Sequence, residues 1–181
     1  MGVTRYKVTV TLLSPFIISS GQDKNGPVQK GPILYNNKPY IPGSTIKGKI
    51  RDNFCKITAL HHADNNCDCA MCTLFGGKGY KPSKIYVDDF FPVEDNIPDA
   101  KNLSIRYGIA INRYSKTNRD NHLYSQEVVN GGKFSGIITV YFDNETLKYK
   151  RNIEMAIKMV DNIGGGRSKG FGRAEVQWEE A

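Results

Sequence analysis

Apolar and polar residues alternate in two long segments of the chain. The segment from Tyr6 to Leu12 has an apolar side chain at every second position, and the segment from Lys133 to Phe142 repeats this spacing. A period of two is typical of a strand with one buried face. Shorter strand-like segments cover residues 84–87, 103–111 and 174–178.

Two other segments have apolar residues at helical spacing. The first follows Pro42-Gly43-Ser44, where Ser44 is a candidate N-cap. Its apolar positions are Ile46, Ile50, Phe54 and Ile57, and those of the second are Ile153, Ala156, Ile157 and Val160. The order β-α-β-β-α-β is the ferredoxin-like or RNA-recognition arrangement. The sequence therefore predicts an α+β fold, in which residues 1–181 form one domain with insertions at about 55–83 and about 112–132.

Composition and charge narrow the choice of partners. The chain has 181 residues, of which 39% are hydrophobic and 24% charged, as is typical of folded globular proteins. Its net charge of +7 and pI of about 9.2 favour a polyanionic partner. No apolar run approaches the roughly 18 residues of a transmembrane helix, and no signal peptide is visible. We expect a cytoplasmic protein with no membrane partner.

Residues 164–173 combine five glycines with three cations and a phenylalanine. Glycine lets the backbone approach a ligand closely, and exposed backbone amides form concave sites for phosphate oxygens that cations reinforce. Phe171 would offer a stacking face for a base. The residues expected to bind nucleic acid here are Gly165, Gly166, Arg167, Ser168, Lys169 and Phe171. Taken alone, the segment would also suit a mobile, solvated loop.

Three of the four cysteines, Cys67, Cys69 and Cys72, lie within six residues. This spacing is too close for a disulfide framework and is typical of metal binding. With one histidine, the three thiolates would complete a tetrahedral zinc site with no open position, which predicts a structural ion. His62 is the preferred fourth ligand because it is nearer to the cysteines, and the alternates are His61 and Cys55. Unligated thiols are the other interpretation.

Three segments occur together and in order along the chain. They are Ile41-Pro42-Gly43-Ser44-Thr45-Ile46-Lys47-Gly48-Lys49-Ile50-Arg51, the Cys-x-Cys-x-x-Cys-Thr-Leu-Phe-Gly segment that begins at Cys67, and Gly164–Arg173. Together they resemble the RAMP superfamily, and within it the repeated backbone subunit of type III-like CRISPR effector complexes. The resemblance implies an RNA-recognition-like core whose copies line up along a CRISPR guide RNA. It also implies complementary target RNA and other effector subunits as partners.

The resemblance also implies which residues bind RNA outside the glycine-rich segment. On the first helix these are Ser44, Lys47, Lys49 and Arg51. Lys47 and Arg51 are four residues apart and are expected to share one exposed face near Lys49. A β-hairpin called the thumb, between Ile111 and Phe134, would wedge between nucleotides. Its RNA-binding residues are Arg113, Tyr114 and Lys116. A solvated helix face and an ordinary solvated hairpin are the other interpretations.

One position departs from the family pattern. Slicing members have an aspartate in an Asp-x-Pro-aliphatic stretch before the Pro-Gly-Ser motif, and metal-assisted cleavage needs it. Here the stretch is Lys30-Gly31-Pro32-Ile33, and a lysine would repel a divalent cation. We therefore expect a subunit that does not cleave RNA and that recruits a separate nuclease, as in CRISPR systems of the type VII kind. No catalytic residue is assigned.

Two enzymatic functions are the alternatives. A metal-dependent slicing endoribonuclease would use Asp23, seven residues before Lys30, with Mg²⁺ or Mn²⁺ as cofactor. A guide-processing endoribonuclease would need a histidine that titrates near neutral pH, and His122 on the thumb is the histidine outside the cysteine region.

Overall fold

The computed structural model describes residues 2–19, 31–59, 67–77, 81–93 and 103–181, with the backbone alone for 110 and 118–123. The strands are β1 (Gly2–Leu12), β2 (Leu34–Tyr35), β3 (Lys38–Pro39), β4 (Ile85–Val87), β5 (Phe91–Pro92), β6 (Leu103–Ile111), β7 (Asn118–Val129), β8 (Gly132–Phe142) and β9 (Ala174–Glu180). The helices are α1 (Gly43–Thr58), α2 (Ala70–Phe75) and α3 (Lys150–Lys158). Short 3-10 helices cover Leu147–Tyr149 and Arg167–Lys169. The predicted mixture of helices and strands is confirmed.

Five strands form one antiparallel sheet. Their order is β4-β8-β1-β9, and β5 also pairs with β8. The pairing of β1 with β8 runs from Gly2 opposite Phe142 to Leu12 opposite Gly132. The alternation predicted for β1 is confirmed, because the side chains on one of its faces are buried: Tyr6, Val8, Val10 and Leu12.

Helices α1 and α3 pack against each other and join the buried face of the sheet in one hydrophobic core. The predicted apolar stripe of α1 is buried at Ile46, Ile50 and Phe54, whereas Ile57 is only half-buried. A buried hydrogen bond of 3.1 Å, from Asn53 Nδ2 to the Ala156 carbonyl oxygen, links the two helices. Among the described residues, no helix is long and apolar enough to cross a membrane.

The predicted N-cap of α1 is wrong. Pro42 occupies the N-cap position, and Ser44 lies exposed within the first turn. The carboxylate of Asp89 caps the helix instead, because its Oδ1 accepts a hydrogen bond of 2.8 Å from the Gly43 amide. An anionic acceptor is favourable at this end of a helix, where the free amides carry partial positive charge.

The outer edge of β4 is covered at one end by Ser83 and at the other end by the start of α1. The Ser83 hydroxyl accepts a hydrogen bond from the Ile85 amide at 3.1 Å and lies 2.8 Å from the Ile85 carbonyl oxygen. At the other end of β4, α1 begins so close to Val87 that a Cβ on Gly43 would lie 2.2 Å from the Val87 carbonyl oxygen. Only a residue without a Cβ fits there without displacing the helix or the strand.

Strands β6 and β7 form a separate hairpin, which is longer than the predicted insertion at about 112–132. Its first arm, β6, begins at Leu103, and its second arm, β7, covers Asn118–Val129. The hairpin is joined to the rest of the fold by reciprocal backbone hydrogen bonds of 2.9 Å between Phe16 and Val129.

We predict opposite effects for two substitutions in α1. Gly43→Ala should lower the free energy of unfolding by about 1–3 kcal/mol, because the new methyl group overpacks the contact with Val87. Gly48→Ala, the matched control, should raise it by about 0.5–1 kcal/mol, since nothing lies within 4 Å of a Cβ there. Urea unfolding of the RNA-free protein measures both, and equal effects would contradict the packing argument.

Candidate functional site

The glycine loop, residues 164–173, has a defined fold between α3 and β9. Gly166 and Gly170 both have left-handed backbone conformations, with φ of 79° and 80°, and they flank the 3-10 helix Arg167–Lys169. The amides of Lys169 and Gly170 donate to carbonyl oxygens within the loop over 2.8 and 3.0 Å. The loop is therefore organised by its own backbone, although residues 165–170 are exposed to solvent.

The segment that follows β1 anchors the loop. The Gly165 amide donates to the Ile17 carbonyl oxygen over 3.1 Å, and the Gly172 amide donates to the Pro15 carbonyl oxygen over 2.8 Å. Phe16, between these two acceptors, makes the backbone hydrogen bonds to the β6–β7 hairpin. Residues 15–17 thus hold both the glycine loop and the base of the hairpin.

Some of the amides expected to form a phosphate cradle are already bonded. The Gly165 amide is one of them, so its predicted role as a phosphate donor needs that bond to break. Among the described residues, no acceptor is found for the consecutive amides of Gly166, Arg167 and Ser168. These three amides, next to two cations, are the part of the loop that a phosphate oxygen could contact.

The side chains of Arg167, Lys169 and Phe171 all have intramolecular contacts. Arg167 pairs with Asp161, and the Lys169 ammonium donates to the Tyr124 hydroxyl on β7 over 2.7 Å. The second contact joins the loop to the hairpin. Phe171, predicted as a stacking face, is half-buried and packs on Gly166, where a Cβ would lie 2.6 Å from its ring.

The sequence predicts that the basic residues of α1 share one exposed face, and the structure differs from this prediction. Lys47 is half-buried and donates to the Ser83 hydroxyl over 2.8 Å. Its burial, and to a smaller extent the nearby Arg51 charge, lower the pKa of Lys47. Arg51 is exposed, whereas Lys49 points about 200° further round the helix from Lys47. Of this set, Arg51 and Ser44 are the exposed side chains.

The tip of the hairpin displays its predicted RNA-binding residues. The Asn112 amide donates to the Thr117 carbonyl oxygen over 2.8 Å, which closes the turn between β6 and β7. Arg113, Tyr114 and Lys116 all lie exposed within this turn, and the Tyr114 side chain is 99% exposed. Their side chains therefore project into solvent from an ordered turn.

An exposed apolar row on β6 was not identified from the sequence. Its members occupy every second position, with exposed fractions between 46% and 69%: Ile105, Tyr107, Ile109 and Ile111. The signal was a large apolar residue at every second position, as in β1, with only Arg106, Gly108 and Ala110 between them. A contiguous exposed row of this kind is typical of a surface that binds another macromolecule.

The three clustered cysteines come together where α2 begins. The sulfur atoms of Cys67, Cys69 and Cys72 all lie within 4.8 Å of one another. Thiolates bound to one zinc ion at about 2.3 Å with tetrahedral angles would be about 3.8 Å apart, so small side-chain movements suffice to bind an ion. The donor set and the geometry both fit zinc.

Burial and the neighbouring sulfur atoms favour the protonated form of the Cys72 thiol in the absence of a cation. Burial, followed by the neighbouring sulfur atoms of Cys69 and Cys67, raises the pKa of Cys72 to about 11. A divalent cation would reverse this preference, because it replaces the thiol protons. The thiol of Cys55 contacts the Met71 sulfur at 2.7 Å and is not part of the cluster.

Several predicted site residues lie outside the described residues. They are Asp23, Lys30, His61 and His62, and for His122 only the backbone is described. The fourth zinc ligand and the departure at Lys30 therefore stay predictions from the sequence.

Comparison with known proteins identifies relatives over most of the chain. The family model described as the RAMP superfamily matches residues 9–175. The chain is 29% identical over 154 residues to a protein of Methanocaldococcus jannaschii named CRISPR system Cms endoribonuclease Csm3, with 76% of this chain and 62% of that protein covered. It is 31% identical over 162 residues to the protein of the same name from Enterococcus italicus, with 82% and 75% covered.

A solved structure has the same fold. It is a chain of the type III-B Cmr-beta complex bound to cognate target RNA, with a TM-score of 0.75 and 10% sequence identity. The match covers 98% of this chain and 97% of that one.

We predict that the purified protein contains about one zinc ion per chain, since the three cysteines offer a nearly complete ligand set. Cys69→Ser should remove the zinc and lower the melting temperature, whereas Cys55→Ser, the matched control, should retain the zinc. Elemental analysis and thermal unfolding measure the two effects. A metal-free wild-type protein, or equal zinc loss in both variants, would contradict this ligand assignment.

Proposed function

Because the chain belongs to the RAMP superfamily and is similar to two proteins named CRISPR system Cms endoribonuclease Csm3, we propose that it is a backbone subunit of a type III-like effector complex. In this role its copies bind along a CRISPR guide RNA and present that RNA for pairing with complementary target RNA. The chain spans 62% of the length of the M. jannaschii relative, so the activity and partners are proposed from its own residues.

The observation that carries the proposal is the contact between the glycine loop and the hairpin. Lys169 and Tyr124 are 45 positions apart in the sequence, yet their side chains are hydrogen-bonded. This contact joins a loop with unbonded amides and two cations to a hairpin with an exposed basic and aromatic tip. Free amides and cations suit phosphates, and an exposed aromatic side chain suits a base.

The core and the apolar row support the proposed assembly. The strand order, with α1 after β1 and α3 after β8, is the order expected of a ferredoxin-like core, the arrangement common in RNA-binding domains. The exposed row on β6 gives the hairpin a second binding surface. In this proposal the row inserts between nucleotides of the RNA and also contacts the next copy of the subunit in the assembly.

We propose that this subunit binds target RNA without cleaving it. Lys30 stands where slicing family members have an aspartate, and a lysine cannot replace a carboxylate as a metal ligand. The separate nuclease that this role requires is therefore a proposed partner, together with other effector subunits.

A slicing endoribonuclease is the second candidate function. The relatives from M. jannaschii and E. italicus are named endoribonucleases, which favours this activity. In this chain it would depend on Asp23, with Mg²⁺ or Mn²⁺ as cofactor.

The cysteine cluster has a structural role in this proposal. A zinc ion on Cys67, Cys69 and Cys72, with His62 as fourth ligand, would cross-link the segment between α1 and β4 without an open coordination position. A subunit of this kind would work in the cytoplasm.

We predict that Arg167→Ala/Lys169→Ala weakens RNA binding and flattens its salt dependence. Each lost phosphate contact should reduce the log–log salt slope by about 0.7 on single-stranded RNA. Arg151→Ala/Lys158→Ala removes two exposed charges from α3 and is the matched control. Fluorescence anisotropy at several salt concentrations measures both, and equal slopes for the two double variants would remove the loop from the RNA-binding surface.

We predict that the protein reconstituted with guide RNA binds labelled complementary RNA and leaves it intact in Mg²⁺ or Mn²⁺. Denaturing gels detect cleavage, and a gel-shift assay on the same samples shows that the target was bound. Regularly spaced cuts that disappear in Asp23→Ala would establish the slicing function instead. Cleavage of unpaired precursor RNA that disappears in His122→Ala would point to guide processing.

A further inference from the structure

Two of the three cations of the glycine loop, Arg167 and Lys169, have side-chain partners of different charge. Arg167 Nη2 donates to Asp161 Oδ2 over 2.7 Å, and both side chains are about two-thirds exposed. Lys169 Nζ donates to the Tyr124 hydroxyl over 2.7 Å and lies 5.1 Å from the centroid of its ring. A carboxylate largely neutralises the charge beside it, whereas a neutral phenol leaves the ammonium charge available to other anions.

Backbone hydrogen bonds fix Asp161 at the neck of the loop. Its carbonyl oxygen accepts a hydrogen bond of 2.9 Å from the Ala174 amide. The next residue, Asn162, forms an isolated bridge with Arg173, and its side-chain amide donates to the Phe171 carbonyl oxygen over 2.8 Å. The carboxylate is therefore held near Arg167 by the same contacts that close the loop.

The hairpin fixes Tyr124 in a comparable way. Tyr124 on β7 pairs with Gly108 on β6, and its ring lies over that glycine. A Cβ on residue 108 would lie 2.2 Å from the ring, so the absence of a side chain there makes room for it. Tyr124 consequently orients the Lys169 ammonium group, which sits on a side chain with several accessible rotamers. Two of its three ammonium protons remain for another acceptor.

From this difference we propose that Asp161 is a built-in competitor that limits the affinity of the glycine loop for RNA, and that Tyr124 is a positioning residue for Lys169. A phosphate that binds Arg167 must share the guanidinium with the Asp161 carboxylate or displace it, and the two anions repel each other. The same phosphate meets Lys169 already oriented, with less side-chain entropy to lose. The inference rests on the RNA-binding function proposed above and assigns unequal roles to two cations that the sequence does not distinguish.

The test measures binding of the full chain to a labelled single-stranded oligouridylate at several salt concentrations. Asp161→Asn should tighten binding roughly two- to five-fold, the range expected when an exposed ion pair is released, and steepen the salt slope by up to about 0.7. Tyr124→Phe should weaken binding by a similar factor. Its melting temperature should not change, because the ring over Gly108 is retained.

Double variants separate these roles from simple changes in charge or stability. The effect of Asp161→Asn should vanish in an Arg167→Ala background, and that of Tyr124→Phe should vanish in a Lys169→Ala background. Glu175→Gln, the matched control, removes one exposed carboxylate from β9 and should change binding less than Asp161→Asn.

The outcomes distinguish this inference from the function on which it rests. If the wild-type protein does not bind the oligouridylate, the RNA-binding function fails and the inference fails with it. If Arg167→Ala and Lys169→Ala weaken binding but Asp161→Asn behaves like Glu175→Gln, the competitor role alone is wrong. Weakening by Tyr124→Phe that persists in the Lys169→Ala background would overturn the positioning role.

Discussion

The pairing of β1 with β8 is the constraint on which the rest of the structure depends. It joins two strands along the full length of β1, from Gly2 opposite Phe142 to Leu12 opposite Gly132. Helix α1, the cysteine cluster and the hairpin all lie in the chain that this pairing closes into a loop. Because the entropic cost of loop closure rises only slowly with length, such a pairing tolerates large insertions. It also makes native contacts non-local, which is typical of slow folding.

The position of the candidate RNA-binding surface follows from the end of β1. Residues 15–17 accept hydrogen bonds from Gly165 and Gly172 of the glycine loop and bond to Val129 at the base of the hairpin. The glycine loop and the hairpin are therefore both held in place by one short segment, residues 15–17, that follows β1. The Lys169–Tyr124 contact is a second, more peripheral connection, made by exposed side chains. A phosphate can reach Lys169 at this outer connection without disturbing the inner one.

The sequence predicts those parts of the fold in which one face is buried. Alternation identified β1 and β8, and helical spacing identified α1 and α3, because burial imposes a period on the residues. Strand β7 has no apolar alternation, and its pairing with β6 could not be predicted in this way. Contacts between distant residues were also missed. The cap that Asp89 provides for α1 and the bond that occupies the Gly165 amide both come from remote segments.

The hydroxyl of Ser83 has a consequence for the way in which other molecules can meet the sheet. Strand β4 lies at the edge of the sheet, where unpaired amides and carbonyl oxygens could recruit a strand from another molecule. Ser83 occupies both polar backbone groups of Ile85, and the start of α1 covers Val87. The described sheet is thereby protected against indiscriminate strand addition at this edge, so that a molecule that packs here would meet side chains rather than extend the sheet.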